Sequence, residues 1–150
     1  TILGVVYNPA AKKCFYAESN KGAFLNGEVI HPSSNRLLSE SLIATGFPYL
    51  HDKLYDTSFL IFKELYDCTR GIRRLGAAGL DLAYVAGGKL DGFWEKDLNL
   101  WDISTGVLLV KEAGGRVSKI NGEDWTIDSR DVLVSNTKIH DDLSKKLSLL

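Results

Sequence analysis

Trp101-Asp102-Ile103-Ser104-Thr105-Gly106, running on through Val107-Leu108-Leu109-Val110-Lys111-Glu112-Ala113-Gly114-Gly115, reads as one helix with its stop signal. Ile103, Val107, Leu108 and Val110 recur at helical spacing, and the glycine pair ends the periodicity. Asp102 therefore lies in the first turn, among backbone N–H groups without intrahelical partners and at the positive end of the helix dipole. Both effects favour the ionised carboxylate. An ionised oxygen anchored to a helix is what a hard cation such as Mg²⁺ takes as a ligand. A plain N-terminal helix cap is the alternative role for the same residue.

Outward from this helix the chain is ordinary in composition. Its 150 residues suffice for one domain with a real core. With 18 basic against 19 acidic residues the net charge is −1, so charge predicts neither a nucleic-acid nor a membrane surface. The apolar runs are too short to span a bilayer, and no charged-then-apolar leader opens the chain. Cys14 and Cys68 lack any paired-motif spacing. They read as structural thiols of a reducing cytoplasm, with a disulfide between them as the alternative.

Strands alternate with helical stretches, the pattern of α/β layers. Ile2 to Tyr7 is a β-branched strand ended by Asn8-Pro9, and Cys14 to Ala17 returns from it. Both faces of the first strand are largely apolar, which predicts cover on both sides. Gly22 to Gly27 is a second hairpin turning at Asn26-Gly27. Ser41 to Gly46 is a short buried strand. Asp52 to Thr69 reads as a helix capped by Asp52, with Tyr55, Phe59, Phe62 and Tyr66 along one face as core or subunit interface. A strand at 71–75, a helix from Gly76 to about Gly87 and a strand at 90–95 lead to the Trp-Asp helix. Strands at 115–120 and 132–135 and a helix at 137–149 finish the chain.

The Trp-Asp helix with its Glu-Ala-Gly-Gly ending, Arg73-Arg74-Leu75-Gly76-Ala77-Ala78-Gly79-Leu80-Asp81, and Gly87-Gly88-Lys89-Leu90-Asp91-Gly92-Phe93-Trp94-Glu95 together resemble the inositol monophosphatase family. The likeness is to the second half of its members, and is nearest the bacterial extragenic-suppressor type. Gly4 to Pro9 and Gly22 to Gly27 are similar to the family's central strands and hairpin. The resemblance implies an α/β fold forming the C-terminal part of a layered α-β-α-β-α sandwich. Residues 1–46 would complete the sheet of an N-terminal half that this sequence does not contain.

The function implied is Mg²⁺-dependent, lithium-sensitive hydrolysis of inositol or related polyol monophosphates by a cytoplasmic homodimer. By the resemblance, Asp102 is the catalytic metal ligand, and Glu95 binds the polyol ring. A carboxylate suits that task because it accepts from two hydroxyls at once. Gly76, Ala77 and Ala78 form a pocket wall whose small side chains and free N–H groups admit an oxygen ligand. Arg73 lies near the substrate or serves the subunit interface. Asp81 reads as a structural hydrogen-bonding residue inside an apolar helix, and Asp91 as a turn residue. Ser104-Thr105 and Gly79 depart mildly from the family pattern. The larger departure is that the family's other metal ligands, an upstream glutamate and an Asp-Pro-Ile/Leu-Asp-Gly-Thr segment, have no counterpart in these 150 residues. Two other functions stay open: a non-catalytic regulatory protein of transcription and RNA processing, and another sugar-phosphate phosphatase. No basic stripe interleaved with aromatics suggests direct nucleic-acid binding.

Overall fold

In the computed structural model, which describes residues 1–48 and 53–148, the chain opens with an antiparallel meander. Strands β1 (Leu3–Asn8), β2 (Lys13–Glu18), β3 (Ala23–Leu25) and β4 (Glu28–Val29) pair in chain order. The β3–β4 turn has positive φ at both Asn26 (51°) and Gly27 (92°), as a two-residue hairpin requires. The Asn26 side chain also accepts the Cys14 N–H at 2.8 Å, so the turn residue locks the neighbouring strand.

A second sheet is built from β5 (Leu42–Thr45), β6 (Gly71–Arg73), β7 (Gly92–Glu95), β8 (Arg116–Ser118) and β9 (Val132–Ser135), in the order β6-β5-β7-β9-β8. The first three of these in that order run parallel, and β9 is antiparallel to both β7 and β8. Helices α2 (Ala78–Ala86) and α3 (Leu100–Glu112) pack on each other and fill the space between the two sheets. Helices α1 (Lys53–Cys68) and α4 (His140–Ser148) cover the far face of the second sheet. The layers are thus β-α-β-α, four successive layers of the expected sandwich.

Two cores follow from the period-two alternation of the central strands. Ala44, Phe93, Val132 and Val134 face α2 and α3, whereas Ile43, Trp94 and Leu133 face α1 and α4. These strands are buried on both faces, which explains their unbroken apolar runs. The α2–α3 contact is closest at Gly106, where a Cβ would stand 2.5 Å from Leu82 Cβ. Gly106→Ala must wedge the helices apart. We expect a loss of about 1–3 kcal/mol in urea unfolding, and an unchanged midpoint would show that the two helices adjust freely.

Polar ties fix the connections. Glu112, from the Glu-Ala-Gly-Gly ending, accepts the N–H groups of Asn20 (2.9 Å) and Gly22 (3.0 Å), bracing α3 against the β2–β3 turn. Those bonds hold its carboxyl below the usual carboxylate range. Asp91, read from the sequence as a turn residue, does more. It is buried and accepts from the Ser33 hydroxyl, the Asn35 amide (3.0 Å) and the Leu42 N–H (2.7 Å), tying the 31–37 loop to the sheet.

Three expectations need correction. Leu3, Val5 and Tyr7 of β1 are more than half exposed, so the strand is covered on one face only by the described residues. The fully buried face of α1 is Ser58, Ile61 and Leu65; of the aromatic stripe Phe62 packs on the same core, while Phe59 and Tyr66 are exposed. The rings form a ladder with Phe47, with Phe47–Phe59 and Tyr55–Phe59 ring centroids 4.5 and 4.7 Å apart. Finally, β5 belongs to the second sheet, so within residues 1–46 the first sheet takes only residues 3–29. Both cysteines are free and half-buried. The proposed Asp52 cap lies outside the described residues.

Candidate functional site

Parallel pairing places the C-terminal ends of β5 and β6 and the end of β7 on one side of the second sheet, beside the N-termini of α2 and α3. Ligands of such layered folds bind at the carboxyl ends of strands. A cleft of about 730 Å³ opens there, and its wall runs through Thr45–Pro48, Arg74, Gly76–Asp81, Glu95–Asn99, Trp101, Asp102 and Arg130. Tyr7 and Pro9 at the end of β1 close one edge.

Asp102 occupies the third position of α3. Its Oδ2 accepts the Asn99 N–H at 3.0 Å, which is one half of a capping box. Its Oδ1 has no hydrogen-bond partner among the described residues. The capping oxygen and the unpaired oxygen are thus two atoms of one carboxylate that lines the cleft. Trp101, beside it, is 79% exposed at the cleft mouth.

Glu95 ends β7 and projects into the cleft. Burial, then the nearby Asp81 charge, push its carboxyl up to about 7, with Asp102 adding to the rise and Arg74 opposing it. No described residue donates a hydrogen bond to it. Gly76, Ala77 and Ala78 line the cleft. Gly76 takes φ +86°, which only glycine adopts without strain, and this turns the chain into α2. Ala77 is the N-cap residue; its side chain caps nothing, and its backbone N–H bonds the Asp81 carboxylate. The N–H groups of Ala78 and Gly79 have no partner among the described residues and are open to an oxygen ligand.

Arg73 is not in the cleft. It ends the edge strand β6, is exposed, and its guanidinium folds back to donate to the Ile72 carbonyl at 3.0 Å. The alternation of side chains at the strand end sends Arg74 inward instead, and the Arg74 guanidinium covers Gly76. Of the pair it is Arg74, not Arg73, that lines the cleft, which leaves the subunit interface as the other reading of Arg73.

Asp81 accepts a backbone hydrogen bond from Ala77, and it also stands at the cleft. It is 1% exposed, it borders the cleft, and its Oδ1 has no hydrogen-bond partner. Burial raises its carboxyl to about 6, against a smaller downward pull from the Ala77 backbone and Arg74. The only sequence signal was a charge within an apolar helix.

The acids Asp81, Glu95 and Asp102 thus share one wall, yet among the described residues no three acidic, histidine or cysteine side chains converge closely enough to hold a metal ion. Asp102 fits one ligand position for a hard cation, with a free anionic oxygen at a helix N-terminus, and does not build a complete Mg²⁺ shell alone. No described helix is long and apolar enough to cross a membrane.

A sequence model of the inositol monophosphatase family matches residues 1–148. The chain is 41% identical over 146 residues to the inositol-1-monophosphatase of Synechocystis sp., a match covering 97% of this chain and 51% of that protein. It is 42% identical over 136 residues to a Pseudomonas aeruginosa protein named Nus factor SuhB, covering 89% of this chain and 50% of the relative. Against the solved inositol monophosphatase of Anabaena (Nostoc) sp. the TM-score is 0.94 at 38% identity, over 99% of this chain and 60% of that one. The chain spans about half the length of the curated relatives it matches. With fold, motifs and family match in agreement over nearly every residue, the chain belongs to the inositol monophosphatase family.

Proposed function

We propose that the complete protein is a Mg²⁺-dependent phosphatase of inositol or related polyol monophosphates, and that this chain supplies the polyol-reading wall and one metal ligand. The observation that carries the reading is the convergence of the Asp102 free oxygen, the Glu95 carboxylate and the uncapped start of α2 on one cleft. Glu95 accepts hydrogen bonds from ring hydroxyls. In the wall formed by Gly76, Ala77 and Ala78, the free Ala78 N–H holds a further substrate oxygen, and the Arg74 guanidinium faces the phosphate side. Asp102 contributes its oxygen to the cation. Asp102 is the residue of this chain that would hold the cation, whose chemistry when bound would be activation of water and neutralisation of charge on the leaving oxygen.

The remaining ligands belong, in this reading, to sequence outside these 150 residues, whose first sheet completes with residues 3–29. The uncovered face of β1 supports that reading. The aromatic ladder of α1 serves as the homodimer face, and the free cysteines suit a cytoplasmic location.

The test is phosphate release by the complete protein from inositol, glycerol, fructose and nucleotide phosphates, with and without Mg²⁺ and with lithium. Preferential, Mg²⁺-dependent release from inositol phosphate is expected, and no release from any of them refutes the reading. A preference for a fructose phosphate would favour the other sugar-phosphate phosphatase. The relatives named Nus factor SuhB favour a second reading, a regulatory contact with transcription machinery. A pull-down that recovers no transcription component counts against it.

A further inference from the structure

Gly46 follows β5 directly and lines the cleft. Its φ is not in the left-handed region, so the backbone there does not itself demand glycine. Space does. A Cβ on Gly46 would overlap Cδ, Oε1 and Oε2 of Glu95 almost equally, far inside the 3.0 Å that real Cβ atoms keep. Equal approach to all three atoms means that the face of the carboxylate, not its edge, lies against Gly46. The lone pairs lie in the carboxylate plane, so both oxygens keep their acceptor directions open.

The two residues are held in step by the sheet. Thr45 and Trp94, the residues just before them, are register partners in the parallel β5–β7 pair. The Thr45 hydroxyl also donates to the Trp94 carbonyl at 2.9 Å. Neither strand can slide to relieve a side chain at position 46 without losing this pairing, so the Glu95 carboxylate itself must move.

We propose that Gly46 is a positioning residue for substrate selection. Its missing side chain seats Glu95 face-on against the sheet, so that one carboxylate accepts from two neighbouring hydroxyls of a polyol. The inference rests on the polyol-binding reading of Glu95 above. A residue acting only through Glu95 has a recognisable signature: it affects substrates that carry those hydroxyls, and only while Glu95 is present.

The experiment compares Gly46→Ala, Glu95→Ala and the double variant of the complete protein, on inositol 1-phosphate and on p-nitrophenyl phosphate, which has no hydroxyl to read. Gly46→Ala should raise KM for inositol 1-phosphate by about tenfold or more, the scale of a lost hydrogen bond to a charged group. Its kcat, and both constants for p-nitrophenyl phosphate, should stay within about twofold. In the Glu95→Ala background, adding Gly46→Ala should change KM by less than about twofold, since the atoms it displaces are gone. Equal losses on both substrates, or the same loss in the Glu95→Ala background, would make Gly46 a packing residue and overturn the proposal. An unchanged KM in Glu95→Ala itself refutes the polyol-binding reading, and the inference falls with it.

Discussion

Asp102→Asn in the complete protein is expected to lower kcat/KM for polyol phosphate by about 10²–10³-fold, the scale of losing one preorganised electrostatic group. Folding stability should change by less than about 1 kcal/mol. The separation comes from the two oxygens. Oδ2 caps α3 through the Asn99 N–H at 3.0 Å, and the asparagine carbonyl oxygen can take over that bond. The other oxygen, unpaired at the cleft, becomes an amide NH₂, which is neutral and a donor where a cation needs an anion. A residue that is merely a cap gives the opposite pattern: activity retained in Asp102→Asn, and about 1 kcal/mol lost in Asp102→Ala. Steady-state kinetics and urea unfolding on both variants decide between them. Full activity in Asp102→Asn would remove the metal-ligand role.

Much of this site was legible because its parts are local. Asp102 at a helix start, Glu95 at a strand end and Gly76 before a helix each follow from residues within a few positions. The Asn26-Gly27 hairpin is equally local. What sequence could not give depends on partners far along the chain. Arg73 and Arg74 are indistinguishable until the last residue of β6 is fixed by its pairing with β5. The aromatics of α1 look like a core stripe, yet only Phe62 of them joins Ile61 and Leu65 against the core of Trp94 and Leu143. Gly46 looks like an ordinary residue after a strand until Glu95, 49 positions later, is seen filling its Cβ place. Asp81 shows the same limit: nothing nearby in sequence says that its neighbour is another carboxylate.

Those carboxylates set the terms of the largest stability effect. His140, the first residue of α4, is fully buried between Ser118 and Ser135, whose hydroxyl oxygens lie 2.9 Å from Nε2 and 2.8 Å from Nδ1. Burial, then the Arg116 charge, lower its pKa to about 4, with Asp141 pulling the other way. The two serines could accept from a doubly protonated ring while donating to the Lys119 and Asn136 carbonyls. That arrangement gains one charge-assisted hydrogen bond, about 1.5–3 kcal/mol, whereas taking the cation out of water costs more than that, so the neutral ring wins. The unfolded chain protonates this histidine near pH 6.5 and the folded one near 4. Its contribution is therefore complete above pH 6.5 and lost as pH falls toward 4, on the order of 3 kcal/mol. Asp81 and Glu95 have the opposite sign. Their folded pKa values, about 6 and 7, are raised, so they add stability as pH falls through that range and mask the histidine in the wild-type curve. The difference between wild type and His140→Gln cancels the carboxylates. Urea unfolding should show the wild-type advantage shrinking by about 2–3 kcal/mol between pH 7 and pH 4.5. An advantage that grows in acid would mean that the ring is held between the serines as a cation, and a constant one that folding leaves its protonation unchanged; either outcome refutes the buried neutral ring.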